Sequence, residues 1–514
     1  GSAIAFTVPK RAAKPAEQLT LFDLLTASLS GNHERVLVPD VPLDIRGSSF
    51  SWSPNSMQVA YRRIERGGPS DCYAVGIDGG DSLNLTTWPP GQGMEYLASA
   101  RPLWDKEGEH VYLVREGTLW RASIGQSKAI ELARIAGHRI SELAAQPSNV
   151  LWAGSGNAFA LVVAFDDVKK QDGFYEIDLM NGQSTALLEK GQSYLGARVG
   201  EDVIISRDGQ QVAYFSEDAE HDSDIWMSDI GFRKPRQVTH LNAQFSRYKM
   251  GAARLVDWLS DNGERLQGVL LLPSQYEQGN HYPLIVRVYG GTPLSNCGFN
   301  TFGLEGAGPF NGQLLATRGY AVLCPDAPQH PGTPMVDLAK AVLPGVNKVI
   351  EMGIADPNRL GVVGHSYGGY SALSLIVQTK RFRAAVESDG MADLIADYGA
   401  MGKQGTAYSQ SVLEHGQGLM GGTPWQYRER YIENSPFFYL DRVETPLLIV
   451  HGSEDQAVSS FLGDEIYSGL RRLGKEVVYA KYEGENHGPS GWSYANQVDF
   501  CNRVIAWFEE HLKR

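Results

Sequence analysis

The chain has 514 residues, more than one ordinary domain holds, and its 42% hydrophobic and 20% charged residues are the balance of a globular protein with a large core. That balance excludes a disordered, collagen-like or coiled-coil chain. Lysine and arginine (46) fall short of aspartate and glutamate (59), and the net charge of −13 argues against nucleic acid as a partner. No run approaches the roughly 18 uninterrupted apolar residues of a membrane helix, so no membrane partner is expected.

The opening Gly1-Ser2 reads as a cloning scar, and Ala3-Ile4-Ala5-Phe6-Thr7-Val8 reads as a first strand. With no leader visible ahead of it, the expected location is the cytoplasm, with the periplasm or secretion after leader removal as the alternative. From there to about residue 245, short β-like runs alternate with Gly, Asp, Asn and Ser, and helical periodicity is nearly absent. A repeat runs through them. Phe50-Ser51-Trp52-Ser53-Pro54 leads into Gln58-Val59-Ala60-Tyr61, Pro102-Leu103-Trp104 into His110-Val111-Tyr112-Leu113, and Ile204-Ile205-Ser206-Arg207-Asp208-Gly209 into Gln211-Val212-Ala213-Tyr214. A third strand follows, ending near an acid, as in Phe174-Tyr175-Glu176-Ile177-Asp178. Trp52 and Trp104 stand 52 positions apart, close to the period of a four-stranded propeller blade. The expectation is a β-propeller-like domain over residues 3–245 with about five blades, possibly an incomplete ring; a β-sandwich or looser meander is the alternative.

Residues 246–514 have a different texture. Candidate strands at Leu266–Leu272, Leu284–Tyr289, Tyr320–Cys324, Leu360–Gly364, Ala384–Glu387, Leu447–His451 and Val477–Tyr482 alternate with helices near Val336–Met352, Tyr367–Thr379, Phe461–Leu473 and Tyr494–Leu512. Strands apolar on both faces imply helices on both sides, so a doubly wound, mainly parallel α/β sheet is expected. The last helix could pack on that sheet or in a homo-oligomer interface. Cys72, Cys297, Cys324 and Cys501 are far apart with no CxxC pair, which argues against a zinc cluster or disulfide scaffold.

The chemistry is concentrated at strand ends. Leu360-Gly361-Val362-Val363-Gly364-His365-Ser366-Tyr367-Gly368-Gly369 runs from an apolar strand through Gly-x-Ser-x-Gly into a helix, the nucleophile elbow. Ser366 needs a base, and in such a fold an acid and then a histidine should follow on later loops. Asp455 lies beyond the strand Leu447–His451, and His487 beyond Val477–Tyr482, at 455 − 366 = 89 and 487 − 455 = 32 positions. Glu454 is an alternative acid. His365 is expected to pack below the turn, His451 to fix its loop, and His110, His138 and His240 to be ordinary surface or core residues. The backbone N–H of Tyr367 is one oxyanion donor by geometry. Tyr289, followed by Gly290 and Gly291, offers a second through its phenol, or else is a strand-end core tyrosine. No histidine pair has metal-ligand spacing on one helix, so no metal and no cofactor are expected.

In Asp356-Pro357-Asn358-Arg359, Gly364-His365-Ser366-Tyr367-Gly368-Gly369-Tyr370, Val288-Tyr289-Gly290-Gly291, His451-Gly452-Ser453-Glu454-Asp455 with Val458, Asn434-Ser435-Pro436 and Glu485-Asn486-His487-Gly488, the second half resembles the prolyl oligopeptidase family of serine peptidases. The resemblance implies an α/β-hydrolase capped by a propeller, a triad of Ser366, Asp455 and His487, an oxyanion hole of Tyr289 and Tyr367, and a short peptide as substrate. It also places Met391, Tyr398 and Val458 around an apolar S1 pocket, with ordinary packing as the alternative for the first two. Family propellers commonly have more blades than fit here. Ala457 stands where dipeptidyl peptidases of the family carry an asparagine, so a strict dipeptide-releasing specificity is not implied. Glu95 could pair with a substrate amino terminus or be a solvated loop acid. The expected activity is that of an exo- or oligopeptidase. An esterase or acyltransferase using the same triad, and an inactive propeller-based binding module, are the alternatives.

Overall fold

The computed structural model describes residues 3–9, 20–29, 34–43, 50–64, 70–88, 101–146, 150–154, 158–195, 203–303, 308–401 and 407–513; Glu95 and the side chain of Cys297 lie outside the described residues. Two compact units divide the chain: residues up to Glu217 with Ser223–Leu241, and Asp218–Asp222 with Asn242 onward. Among the described residues no helix is long and apolar enough to cross a membrane.

In the first unit the repeated turns share one hydrogen-bond pattern. Ser53, Asp105 and Ser206 each donate a backbone N–H to the carbonyl five residues on, at Gln58 (2.9 Å), His110 (3.0 Å) and Gln211 (2.9 Å). Three residues into each turn stand Ser56, Gly108 and Gly209, with φ of 60°, 75° and 73°, the left-handed backbone that closes the hairpin. The first side chain also accepts an N–H from the far side of the turn: Ser53 Oγ from Gln58, Asp105 Oδ1 from Glu109, Ser206 Oγ from Gln211. His110 completes its turn by bonding Asp105 at 2.6 Å.

Among the described residues these hairpins build one three-stranded and four four-stranded antiparallel sheets, every one with its strands in chain order. The fourth comprises His138–Leu143, Phe159–Asp166, Gln171–Asp178 and Ser184–Glu189. Its strand Phe159–Asp166 is apolar on both faces because both are covered. Ala160, Val162 and Ala164 pack with Leu103, Tyr112 and Val114 of the preceding sheet, and Leu161 and Val163 with Ile205, Val212 and Tyr214 of the following one. Val111 and Leu113 meet Ala60 and Ala74 in the same way, and Val59 and Tyr61 meet Leu24 and Leu37. Successive sheets therefore pack face to face in chain order, as propeller blades do.

The third strands Gln171–Asp178 and Asp224–Asp229 end on an acid as expected, and a further acid recurs near the start of the third strand of a sheet. Asp71 accepts from Thr86 Oγ1 and Trp88 N; Asp172 from Tyr194 N, Leu195 N and Ser193 Oγ; Asp224 from Thr239 Oγ1 and Leu241 N. Each ties down the segment that leaves the fourth strand. Burial raises the pKa of Asp172 against the pull of those donors. Asp172→Ala would strand the donors in a dry interior, so we expect a loss of about 2–4 kcal/mol, read as a lower calorimetric transition of this unit.

The second unit is built on one eight-stranded sheet. In spatial order its strands are Ala253–Leu259, Arg265–Leu271, Ala321–Pro325, Tyr282–Arg287, Ala355–His365, Ala384–Ser388, Leu447–Gly452 and Val477–Tyr482. The first two strands are antiparallel to their neighbours and all later pairs are parallel. Alternation along the strands splits the core. Leu284, Val286, Leu360, Val362, Leu447 and Ile449 face the helices Pro334–Glu351, Tyr367–Ile376 and Ser460–Arg472. Ile285, Val363, Val386, Leu448 and Val450 face Tyr494–Leu512, which buries Phe500, Val504, Phe508 and Leu512 against them. That helix thus spends its apolar side on the sheet, and Trp507 Nε1 bonds Ala385 O at 3.1 Å. The sequence reading missed the edge strand Ala253–Leu259, whose outer residues are exposed, and the short helices Leu394–Gly399, Tyr408–Glu414 and Arg428–Glu433.

Candidate active site

Three strands of the sheet deliver their loops to one place. The strand Ala355–His365 stops at Ser366, which has φ 59° and ψ −124°, and the helix Tyr367–Ile376 starts at the next residue. So sharp a turn leaves no room for side chains on either flank. A Cβ on Gly364 would sit 1.9 Å from Gly368 O, and one on Gly368 2.6 Å from Val288 O. The positive φ is an unfavourable backbone state for serine, held because Ser366 N bonds Ser388 O at 2.8 Å and Ser366 O accepts from Gly369 N at 2.8 Å.

The loops after Leu447–Gly452 and Val477–Tyr482 are zipped together. Ser453 N bonds Tyr482 O, Glu454 N bonds Glu485 O, and Gln456 N bonds Asn486 Oδ1. Gly452 permits this approach, since a Cβ there would lie 2.5 Å from Glu485 O. Trp492 Nε1 and Asn496 Nδ2 brace the second loop from behind, at Asn486 O and Glu485 Oε1. The result is a hydrogen-bonded line: Asp455 Oδ2 to His487 Nδ1 at 2.7 Å, and His487 Nε2 to Ser366 Oγ at 2.8 Å. The carboxylate at the imidazole is that of Asp455.

The Asp455 side chain has no exposed surface, and burial alone would favour the neutral acid. Hydrogen bonds from His451 and His487 and the N–H of Val458 outweigh it and hold the carboxyl well below the usual carboxylate range. Its Oδ1 accepts from Ala457 N and Val458 N, both at 2.8 Å. His451 lies behind it, with Nε2 3.0 Å from Val458 O and 3.3 Å from Asp455 Oδ2. Burial would lower the pKa of His451, but the Asp455 bond and the charges of Asp389 and Glu387 raise it to about 9.

His365, expected below the turn, lays its ring against that of His487, with centroids 4.9 Å apart, and its Nδ1 3.4 Å from Asp389 Oδ2. Burial pushes its pKa down, so His487 faces a neutral ring. Asp389, itself at φ 50°, accepts from Gly452 N at 2.9 Å and from Ser388 Oγ at 2.7 Å, and so links two of the converging strands. Asp389, His451 and Asp455 each bring one donor atom within 4.8 Å of the others, the spacing of a metal cage. Their carboxylate oxygens are already engaged by N–H and O–H groups, which makes this a hydrogen-bond network.

The Tyr289 ring borders the elbow, 3.2 Å from where a Cβ on Gly368 would lie and 6.1 Å from the Tyr367 ring. Gln417 Nε2 donates to its phenol oxygen at 3.1 Å, a partner with no sequence signal because it lies 128 residues away. Met391, Tyr398 and Val458 are all buried in the same core cluster. The Tyr398 hydroxyl bonds Glu414 Oε1 at 2.7 Å, and its ring meets Trp425 and Tyr431 edge-on. Chemically, a strained serine hydroxyl with an imidazole nitrogen in reach, a carboxylate behind that imidazole and a helix N-terminus ahead of it can pass a proton while the oxygen attacks a carbonyl.

Known proteins resemble this chain in sequence and in fold. Residues 337–514 match the prolyl oligopeptidase family. The uncharacterized peptidase YuxL of Bacillus subtilis is 28% identical over 306 residues, 56% of this chain and 44% of that protein. Dipeptidyl-peptidase 5 of Porphyromonas endodontalis is 23% identical over 367 residues, 68% of this chain and 49% of that one. The chain thus spans about half the length of these curated relatives. In fold, the Pyrococcus horikoshii acylaminoacyl peptidase is similar with a TM-score of 0.71 at 18% identity, over 100% of this chain and 80% of that one. Since the match falls on the residues that carry the Asp455 and His487 loops and the serine elbow, residues 337–514 of this chain form a domain of the prolyl oligopeptidase family.

Proposed function

We propose that this chain is a serine peptidase that cleaves short peptides through an acyl-enzyme, as an exo- or oligopeptidase with an apolar P1 preference. Ser366 Oγ attacks the scissile carbonyl while His487 Nε2 takes its proton; the imidazolium, steadied by Asp455, then protonates the leaving amine. Water repeats the cycle on the acyl-enzyme. The Tyr367 N–H at the start of its helix and the Tyr289 phenol stabilise the oxyanion. Met391, Tyr398 and Val458 form the apolar S1 wall. The observation that carries the reading is the unbroken line Asp455–His487–Ser366 at 2.7 and 2.8 Å. The names of the relatives, peptidase and dipeptidyl-peptidase, favour amide over ester bonds.

The test is a panel of peptide p-nitroanilides against p-nitrophenyl esters, together with fluorophosphonate labelling of Ser366. Amide turnover with labelling supports the proposal. Ester turnover without amide cleavage replaces it with an esterase, and absence of labelling replaces it with a binding module. Within this reading, Tyr289→Phe should lower kcat by about 10²–10³ with KM little changed, because the lost donor acts only on the oxyanion. Unchanged turnover in that variant would remove Tyr289 from the oxyanion hole.

A further inference from the structure

His451 lies behind Asp455, away from the reacting atoms, and its surroundings give it more to do than brace a loop. Its Nε2 is 3.0 Å from Val458 O and 3.3 Å from Asp455 Oδ2. A carbonyl and an ionised carboxylate only accept, so Nε2 carries a proton shared between them. The other nitrogen decides the charge of the ring. Nδ1 is buried, and among the described residues no protein group bonds it. Glu387 repeats the situation with the opposite sign: its Oε2 accepts from Gly390 N at 3.0 Å, while its buried Oε1 has no partner among the described residues.

Register brings the two groups to one face. Glu387, Ile449 and Tyr479 are partners across three adjacent strands, and His451 follows Ile449 by two residues, so all four side chains project the same way. The helix Ser460–Arg472 covers that face with Leu462 and Ile466. Its Gly463 keeps the space beside the ring open, since a Cβ there would stand 2.9 Å from His451 Nδ1 and 2.9 Å from the Tyr479 hydroxyl. Carboxyls dominate the charges around the ring. Asp455 stands at Nε2, Asp389 and Glu387 come from the end of the neighbouring strand, and all three favour a protonated imidazole. Among the described residues none of the three bonds a lysine or arginine. Lys481 is the register partner of His451, but its ammonium is held by Asp464 of the covering helix at 2.9 and 3.0 Å. Burial pushes the Tyr479 phenol up, and His365, beyond Asp389, is a neutral ring.

We infer that His451 is a positioning residue of the triad: an imidazolium buried behind Asp455, its Nδ1 proton carried to Glu387 Oε1 by one bound water beside Gly463. Such a water has the imidazolium, the carboxylate and the Tyr479 hydroxyl as partners, enough to hold it in a dry layer. The charge has two effects on the line Asp455–His487–Ser366. It favours the ionised form of Asp455, and it opposes proton uptake at His487, which leaves the base ready to accept from Ser366 at lower pH than an uncharged brace would allow. The second effect rests on the peptidase reading above; the charge itself does not.

Neutron diffraction from crystals of the native chain, exchanged into heavy water at about pH 8, reads the charge without any variant. That pH lies above the value of about 7 to which burial pushes the Glu387 carboxyl, and below the value of about 9 that the surrounding carboxylates give His451 despite burial. We expect deuterons on both ring nitrogens and a water between Nδ1 and Glu387. A bare Nδ1 overturns the inference, whatever the chain hydrolyses. His451→Gln keeps an N–H for Val458 O and removes the charge, so the acid limb of its kcat/KM profile should move up by about one pH unit. A limb that stays in place while turnover falls at every pH makes His451 a loop brace only, and overturns the positioning role. Deuterons on both nitrogens in a chain without amide turnover would sink the peptidase reading and leave the imidazolium standing.

Discussion

Asp455→Asn is expected to lower kcat by about 10⁴ while the protein stays folded. The carboxylate accepts on both oxygens: Ala457 N and Val458 N at Oδ1, and His487 Nδ1 at Oδ2. An amide accepts at one end only. With two backbone N–H groups to satisfy, it turns its NH₂ toward His487, which must then accept at Nδ1 and carry its proton on Nε2, where it cannot take one from Ser366. Turnover of the best p-nitroanilide measures the effect, and a loss smaller than tenfold would show that Asp455 does not set the tautomer. The same substitution changes acid stability. A carboxyl depressed in the folded state adds stability above its unfolded pKa of about 3.9 and loses it as pH falls through the folded value. The native chain should therefore lose more stability on acidification than Asp455→Asn does, as seen in melts across that range.

Ser366→Ala is expected to lower kcat by about 10⁶ and to abolish fluorophosphonate labelling. No other hydroxyl replaces it, because Ser366 is the residue the turn lifts to His487 Nε2. Stability separates this loss from misfolding. The φ of 59° strains serine and alanine alike and suits glycine. Ser366→Ala should therefore melt near the native temperature, and Ser366→Gly should melt higher, as inactive as the alanine variant. If Ser366→Ala retains activity, the nucleophile lies elsewhere.

What could be read from the sequence followed from local rules. The Ser53, Asp105 and Ser206 turns announce themselves because each hairpin is closed by contacts within five residues. The serine elbow is equally local at Gly364, which is imposed by the Gly368 carbonyl four positions away. The doubly wound sheet is legible because alternate residues such as Leu448 and Ile449 face different helix layers and both must be apolar. Long-range partners left no such trace. Gln417 reaches Tyr289 from a stretch of short helices without strong periodicity, and His365 meets His487 across 122 residues. The strand Ala253–Leu259 hid for another reason: as an edge, half of it faces water and lacks the continuous apolar run of its neighbours. Asp71, Asp172 and Asp224 look like any turn acid until the segments they tether are in place.

His487 follows the last strand of the sheet, 121 residues after Ser366. At about 5–20 residues per second of synthesis, a ribosome extrudes the hydroxyl on the order of ten seconds before its imidazole partner exists. On the proposed mechanism the nascent chain carries an unactivated nucleophile during that interval, so topology alone keeps the centre disarmed until the loop after the last strand has been made.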